Sequence, residues 1–268
     1  MVWVGGRYSG RVKRRTFLTL PAGAALMRAQ TPAGSSRAWI ELCYYRMRNG
    51  RQVERTTEYL RRGWLPACER AGVGPAGCFG AVIAPDSPFV LTLASYASMG
   101  AVEAARAKMA GDKEFLAAAD DFNSMTELSY MRMESSLLRA FPAMPAVAVP
   151  PAGENRAARI FELRTYEAPN EKALARKIKM FGDGEIEVFR RAGMLTVFFG
   201  ETMIGSRMPN LTYMLAYDDL AARDKTWRAF SADPEWQKLR ATPGLSDAEI
   251  VNNISNGILR PLPFSPIR

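Results

Sequence analysis

From Trp39 to Tyr45 apolar and polar positions alternate through an aromatic-rich run, which predicts a strand with two unlike faces. Gln52–Ala71 has helical composition and stops at Gly72, a residue suited to the left-handed position that follows a helix. Cys78–Ile83 and Phe89–Tyr96 read as strands on either side of the turn signal Pro85-Asp86-Ser87-Pro88. Met99–Asp121 is Ala-rich with helical periodicity, and Met125–Phe141 reads as largely extended. The pattern is therefore β-α-β-β-α-β.

It then occurs again. The predicted elements Ile160–Tyr166, Glu171–Ala192, Leu195–Thr202, Leu211–Tyr217, Asp219–Thr242 and Glu249–Leu262 follow in the same order. One offset of 121 residues carries Glu41-Leu42 onto Glu162-Leu163 and Arg70-Ala71-Gly72 onto Arg191-Ala192-Gly193. The same offset carries Tyr96 onto Tyr217, Asp112 onto Asp233, and Leu138-Arg139 onto Leu259-Arg260. Chance matches scatter over many offsets, so a single ungapped register marks a duplication. The order within each copy is that of a ferredoxin-like unit, in which two helices cover one sheet face and leave the other bare. The expected fold class is α+β: two tandem ferredoxin-like domains packed sheet to sheet as an intramolecular α+β barrel. The expected boundaries are 36–148 and 157–268, with a linker at 149–156 inside a stretch rich in Pro, Ala and Gly.

The first 35 residues read as an address. Lys13-Arg14-Arg15-Thr16-Phe17-Leu18 resembles a twin-arginine export signal, and a mildly apolar stretch and small residues follow it. Export to the periplasm or beyond, with this segment removed, is the expectation. The segment also changes the meaning of the charge. Of the formal +9, six positive charges (Arg7, Arg11, Lys13, Arg14, Arg15 and Arg28) fall within residues 1–30, which hold no acid, leaving +3 for the rest. No concentrated basic face is expected, so no nucleic-acid partner. No run is apolar and long enough for a membrane span in the mature chain.

The chain has no histidine, which excludes Ser–His–acid and Cys–His catalysis and removes the commonest transition-metal ligand. Cys43, Cys68 and Cys78 lack the paired spacing of a zinc site. Neither a metal nor an organic cofactor is expected. Gly72-Val73-Gly74 lacks the spacing of a dinucleotide loop. Asp233-Pro234-Glu235-Trp236 reads as a helix start, with Asp as cap and Pro in the first turn. Trp236, and Cys68 and Cys78 (which align with Phe189 and Phe199), read as apolar packing positions.

The second copy resembles a NIPSNAP domain through Ile160-Phe161-Glu162-Leu163-Arg164-Thr165-Tyr166, Phe198-Phe199-Gly200, Pro209-Asn210-Leu211-Thr212-Tyr213-Met214-Leu215 and Asp233-Pro234-Glu235-Trp236. The first copy is more divergent: Cys43 stands where the second has Arg164, and Gly77-Cys78-Phe79 where it has Phe198-Phe199-Gly200. The resemblance implies the dimeric α+β barrel group, which includes cofactor-independent monooxygenases, dehydratases and haem-degrading enzymes, without implying any one of those chemistries.

Alternation puts Phe161, Leu163 and Thr165 on one face of their strand and Glu162, Arg164 and Tyr166 on the other. With the apolar set assigned to the helices, Glu162, Arg164 and Tyr166, together with Glu41, Cys43 and Tyr45 of the first copy, should point into the barrel. Glu162, Arg164, Tyr166, Glu41 and Tyr45 are thus the ligand-pocket candidates; the catalytic residues stay unassigned. Two readings of Glu162 and Arg164 stand side by side: a general base and an oxygen-binding cation, or a buried structural pair. Three functions follow. The first is an exported NIPSNAP-like protein binding a small apolar or mixed ligand in the barrel. The others are a cofactor-independent monooxygenase acting on an aromatic compound, and a structural interaction module. Partner candidates are a small molecule and further copies of the chain.

Overall fold

A computed structural model describes residues 36–151 and 158–268. The segment expected to direct export, and most of the expected linker, lie outside these residues. The strands are β1 (Trp39–Arg46), β2 (Ala76–Ile83), β3 (Phe89–Tyr96), β4 (Arg132–Ala140), β5 (Ile160–Glu167), β6 (Leu195–Ile204), β7 (Asn210–Tyr217) and β8 (Asn253–Pro261). Among the described residues they form one closed antiparallel barrel in the order β1-β3-β2-β8-β5-β7-β6-β4. The expected meeting of two sheets thus takes the form of a single continuous sheet. Each repeat supplies four adjacent strands, and the repeats join edge to edge at two seams, β2 with β8 and β4 with β6. Closure pairs the edges and turns both bare faces inward, so neither is left exposed.

Helices pack on the outside. In the first repeat they are α1 (Arg51–Tyr59), α2 (Leu65–Ala71), α3 (Met99–Ala110) and α4 (Lys113–Phe122). In the second they are α5 (Glu171–Met180), α6 (Ile186–Arg191), α7 (Leu220–Ala232), α8 (Pro234–Arg240) and α9 (Asp247–Ile250). A π-helical turn joins α1 to α2 at Leu60–Trp64, and another joins α5 to α6 at Phe181–Glu185. The long helices expected at Met99–Asp121 and Asp219–Thr242 each break in two. The breaks fall where Asp112 and Asp233 turn their carboxylates onto the first amides of the next helix, and Pro234 opens α8 as expected. Gly72 takes the left-handed position after α2 (φ 76°).

The inside of the barrel is packed with apolar side chains from both repeats, including Ile40, Leu42, Phe79, Leu91, Phe161, Leu163, Phe198 and Met214. Its base is plugged by chain that follows each repeat. Ile267 is wholly buried in this core, Ser265 accepts a hydrogen bond from the Cys78 amide (2.9 Å), and Val147 packs alongside. The described part of the Pro-rich stretch is thus docked, with the Ala148 amide donating to the Val197 carbonyl (2.8 Å). The three cysteines are buried free thiols.

The direction of the strands corrects the sequence-based assignment of faces. Phe161 and Leu163 fill the barrel, whereas Glu162, Arg164 and Tyr166 face the helices; in the first repeat Ile40 and Leu42 point in, and Glu41, Cys43 and Tyr45 point out. Both faces of this sheet are covered, and every residue of β3 and β7 is buried. The inside of this eight-stranded barrel is narrow enough for its own side chains to fill, so it takes the apolar set. The layer beneath the helices takes the polar set, because long helix side chains can reach down to pair with it.

Candidate functional site

The predicted residues of the second repeat do come together, but around a carboxylate that is already saturated. Glu162 is wholly buried. Arg223 of α7 donates to both of its oxygens (2.9 and 2.7 Å), and Arg164 and the Trp227 indole donate at 2.9 Å each. The Tyr217 hydroxyl and the Asn256 amide add longer bonds of 3.3 Å. A carboxylate has about four lone-pair sites, so none is left for a substrate. Burial alone would raise this carboxyl; the hydrogen bonds from Arg223 and Trp227 and the Arg164 charge outweigh it and hold the group at about 2. It is no general base near neutral pH. The geometry is that of a structural lock between sheet and helix.

Beside it lies a second buried polar group. Tyr213 donates to Tyr166 (2.9 Å), which also receives a bond from Arg164 (3.3 Å). Lys177 reaches Glu185 (3.3 Å) and Asp247 (3.2 Å) and sits 5.5 Å from the Tyr166 ring centre. Burial lifts the Glu185 carboxyl to about 7 against the pull of Lys177. In the first repeat Glu41 is a half-open counterpart of Glu162, bonded by Arg106 (2.7 Å), Ser135 (2.9 Å) and Tyr96 (3.1 Å). Tyr45 is set apart from it in an aromatic cluster with Phe122 and Tyr130.

Open cavities also lie at the mouth of the barrel. The wall changes character along four of the strands: Leu42 gives way to Tyr44 and Arg46, Leu163 to Thr165, Leu138 to Ser136 and Glu134, and Met214 to Thr212 and Asn210. Two adjoining cavities of about 250 and 290 Å³ share Tyr44, Arg46, Glu134, Thr165, Ser206 and Arg207. Arg46 spans the mouth, lying 4.6 Å over the Tyr44 ring and 5.0 Å from the Phe89 ring centre. One of its nitrogens reaches Glu134 (3.2 Å), while its Nε is buried with no acceptor. Arg207, on the β6–β7 turn, donates to Ser255 (3.0 Å). Exposed apolar side chains crown the same end, among them Ile83, Met133, Ile204 and Ile254. The parity chosen on β5 and carried to β1 missed this site. The signal was there in the other parity, as Ile40-x-Leu42-x-Tyr44-x-Arg46 running from apolar to charged. Among the described residues no three Cys, Asp or Glu side chains converge as metal ligands.

A closed α+β barrel assembled from two repeats of one chain, with a polar mouth, defines the class of molecule. The NIPSNAP family model matches residues 40–145 and again 161–266, and the chain belongs to the NIPSNAP family. Similar solved structures include a candidate monooxygenase from Lactobacillus acidophilus NCFM (10% identity, TM-score 0.53, covering 83% of this chain and 93% of that one). An anthrone oxidase-like protein is similar at 9% identity and TM-score 0.52, with 85% and 93% covered. A NIPSNAP-like domain protein from Burkholderia xenovorans matches at 24% identity and TM-score 0.37, covering 41% of this chain and 90% of that one, about one repeat. At these identities the likeness is one of fold. A search of curated proteins finds none that matches.

Proposed function

We propose that this NIPSNAP protein binds a small organic anion of mixed character at the mouth of its barrel. The observation that carries the reading is Arg46: a guanidinium on a side chain 15% exposed, stacked on Tyr44 and Phe89, with a buried Nε–H that has no acceptor. An unpaired buried donor is costly, and a ligand oxygen would satisfy it. Leu163, Leu259 and Phe89 offer an apolar floor for the ligand body, and Arg207 a second cation. A concave, mostly apolar site with a few directed polar groups suits a small molecule. The test is a fluorescence titration with 8-anilinonaphthalene-1-sulfonate, an aromatic anion. Saturable binding that is lost in Arg46→Met is expected; equal binding by wild type and a folded Arg46→Met overturns the reading.

A second reading, a cofactor-independent monooxygenase on an aromatic substrate, draws its support from the fold shared with the candidate monooxygenase and the anthrone oxidase-like protein. It requires oxygen uptake when the protein meets a hydroxylated anthracene, with no added cofactor. We further propose that each repeat is a ferredoxin-like unit. The order β4-β1-β3-β2 in the first repeat and β8-β5-β7-β6 in the second supports this.

A further inference from the structure

The two repeats differ at the groove between the first helix after each central hairpin and the seam below it. In the second repeat this groove is lined by Leu220, Arg223, Asn256 and Ile258, with Ile83 from the first. The offset of 121 residues carries these onto Met99, Val102, Ser135, Leu137 and, across the barrel, Ile204, which line the equivalent groove of the first repeat. The second groove measures about 390 Å³ and the first about 740 Å³.

On the helix side the repeats differ at two positions. In the second repeat Arg223 and Trp227 come down from α7, and both donate to the carboxylate of Glu162. The matching positions on α3 hold Val102 and Arg106. Glu41 keeps the two neutral donors, with Tyr96 and Ser135 standing where Glu162 has Tyr217 and Asn256. It has lost the bidentate cation, the indole and, with Cys43 in place of Arg164, a second guanidinium. The cation that bonds it is Arg106, through one oxygen, with a side chain that is 66% exposed. The second repeat thus displays what this carboxylate position accepts: a planar, doubly donating cation beside a flat ring. The first repeat leaves that volume open. Its walls are Met99, Val102, Leu137 and Ile204, and its rim carries a further carboxylate, Glu103. Two carboxylates face one solvent-exposed guanidinium, a balance that favours a cation and disfavours an anion.

We propose that the groove of the first repeat is a binding site for a small organic cation, an amidinium or guanidinium with an apolar body. The cation takes on Glu41 the place that Arg223 takes on Glu162. Arg106 swings into solvent to admit it, and the apolar body lies on Val102 and Leu137. This site adjoins the barrel mouth, with Ser135 between them, and takes a ligand of opposite charge.

Benzamidine, a planar amidinium on a flat ring, is the probe. Titration of the full chain labelled with 13C at its methionine methyls reads the site directly, since Met99 lines the groove and Met133 and Met208 do not. A saturable shift at Met99 is expected, with no effect of benzoate. Glu41→Gln should weaken binding by about tenfold or more, the worth of charge-assisted hydrogen bonds. Val102→Arg, which restores the counterpart of Arg223, should abolish it. Absence of a Met99 shift in the wild type, binding of benzoate at this methyl, or undiminished affinity in folded Glu41→Gln overturns the proposal. Should either variant fail to fold, the wild-type Met99 response to the two probes decides alone.

Discussion

Arg223 holds Glu162 by both of its carboxylate oxygens, at 2.9 and 2.7 Å, and so fastens α7 to β5 through a carboxylate that has no exposed surface. Residue 162 therefore sets the relation of helix to sheet in the second repeat. Its removal leaves Arg164 and Arg223 facing each other without their counterion. Glu162→Gln should cost about 3–5 kcal/mol. Arg164→Met should cost less, because Arg223 and Trp227 still satisfy the carboxylate. Urea unfolding of the two variants checks the ranking, and a larger loss in Arg164→Met contradicts it.

The same carboxylate sets an acid limit. Its folded-state value of about 2 lies below the ordinary carboxylate range, so its contribution is present above that range and is lost as pH falls towards 2. The shift corresponds to roughly 3 kcal/mol. In Glu162→Gln the stability difference from wild type should shrink steadily below about pH 4.5, as thermal melts across that range would reveal.

Glu185 works in the opposite direction. Burial raises it to about 7, so the folded state binds a proton that the unfolded chain releases. Its contribution is complete below the ordinary carboxylate range and fades as pH rises through 7. Glu185→Gln should flatten the decline in stability between about pH 5 and 7. An unchanged slope in that interval refutes the assignment.

Closure of the barrel predicts that neither half stands alone. Residues 36–148 would expose the unpaired edges of β2 and β4 together with the apolar inner face. Expressed alone, this fragment should aggregate or pair with itself. Light scattering that finds a stable soluble monomer contradicts the expectation. The base of the barrel is equally committed: Ile267→Ala should cost about 2–5 kcal/mol through the cavity left in the core.

Export is a proposal carried by Arg14-Arg15 and the Phe17-Leu18 step after them. Replacement of both arginines by lysine should trap the chain in the cytoplasm, as cell fractionation would report. Unchanged periplasmic recovery rules out the twin-arginine route.

Much of the architecture was written along the chain. The register from Glu41 to Pro142 onto Glu162 to Pro263 identified the duplication, and alternation separated Phe161 and Leu163 from Glu162, Arg164 and Tyr166. Local chemistry marked the helix start at Asp233-Pro234, because a cap depends only on residues two or three apart. Which face turns inward was not a local matter. In a sheet covered on both sides each face is dry, and hydrophobicity cannot tell barrel from helix layer; only closure through the β2–β8 and β4–β6 seams decided it. The partners of Glu162 were hidden for a related reason. Arg223 and Trp227 lie 61 and 65 residues away and share one face of α7, so nothing but the packing of that helix on β5 brings them to the carboxylate. The mouth likewise exists only where the polar ends of strands from both repeats converge.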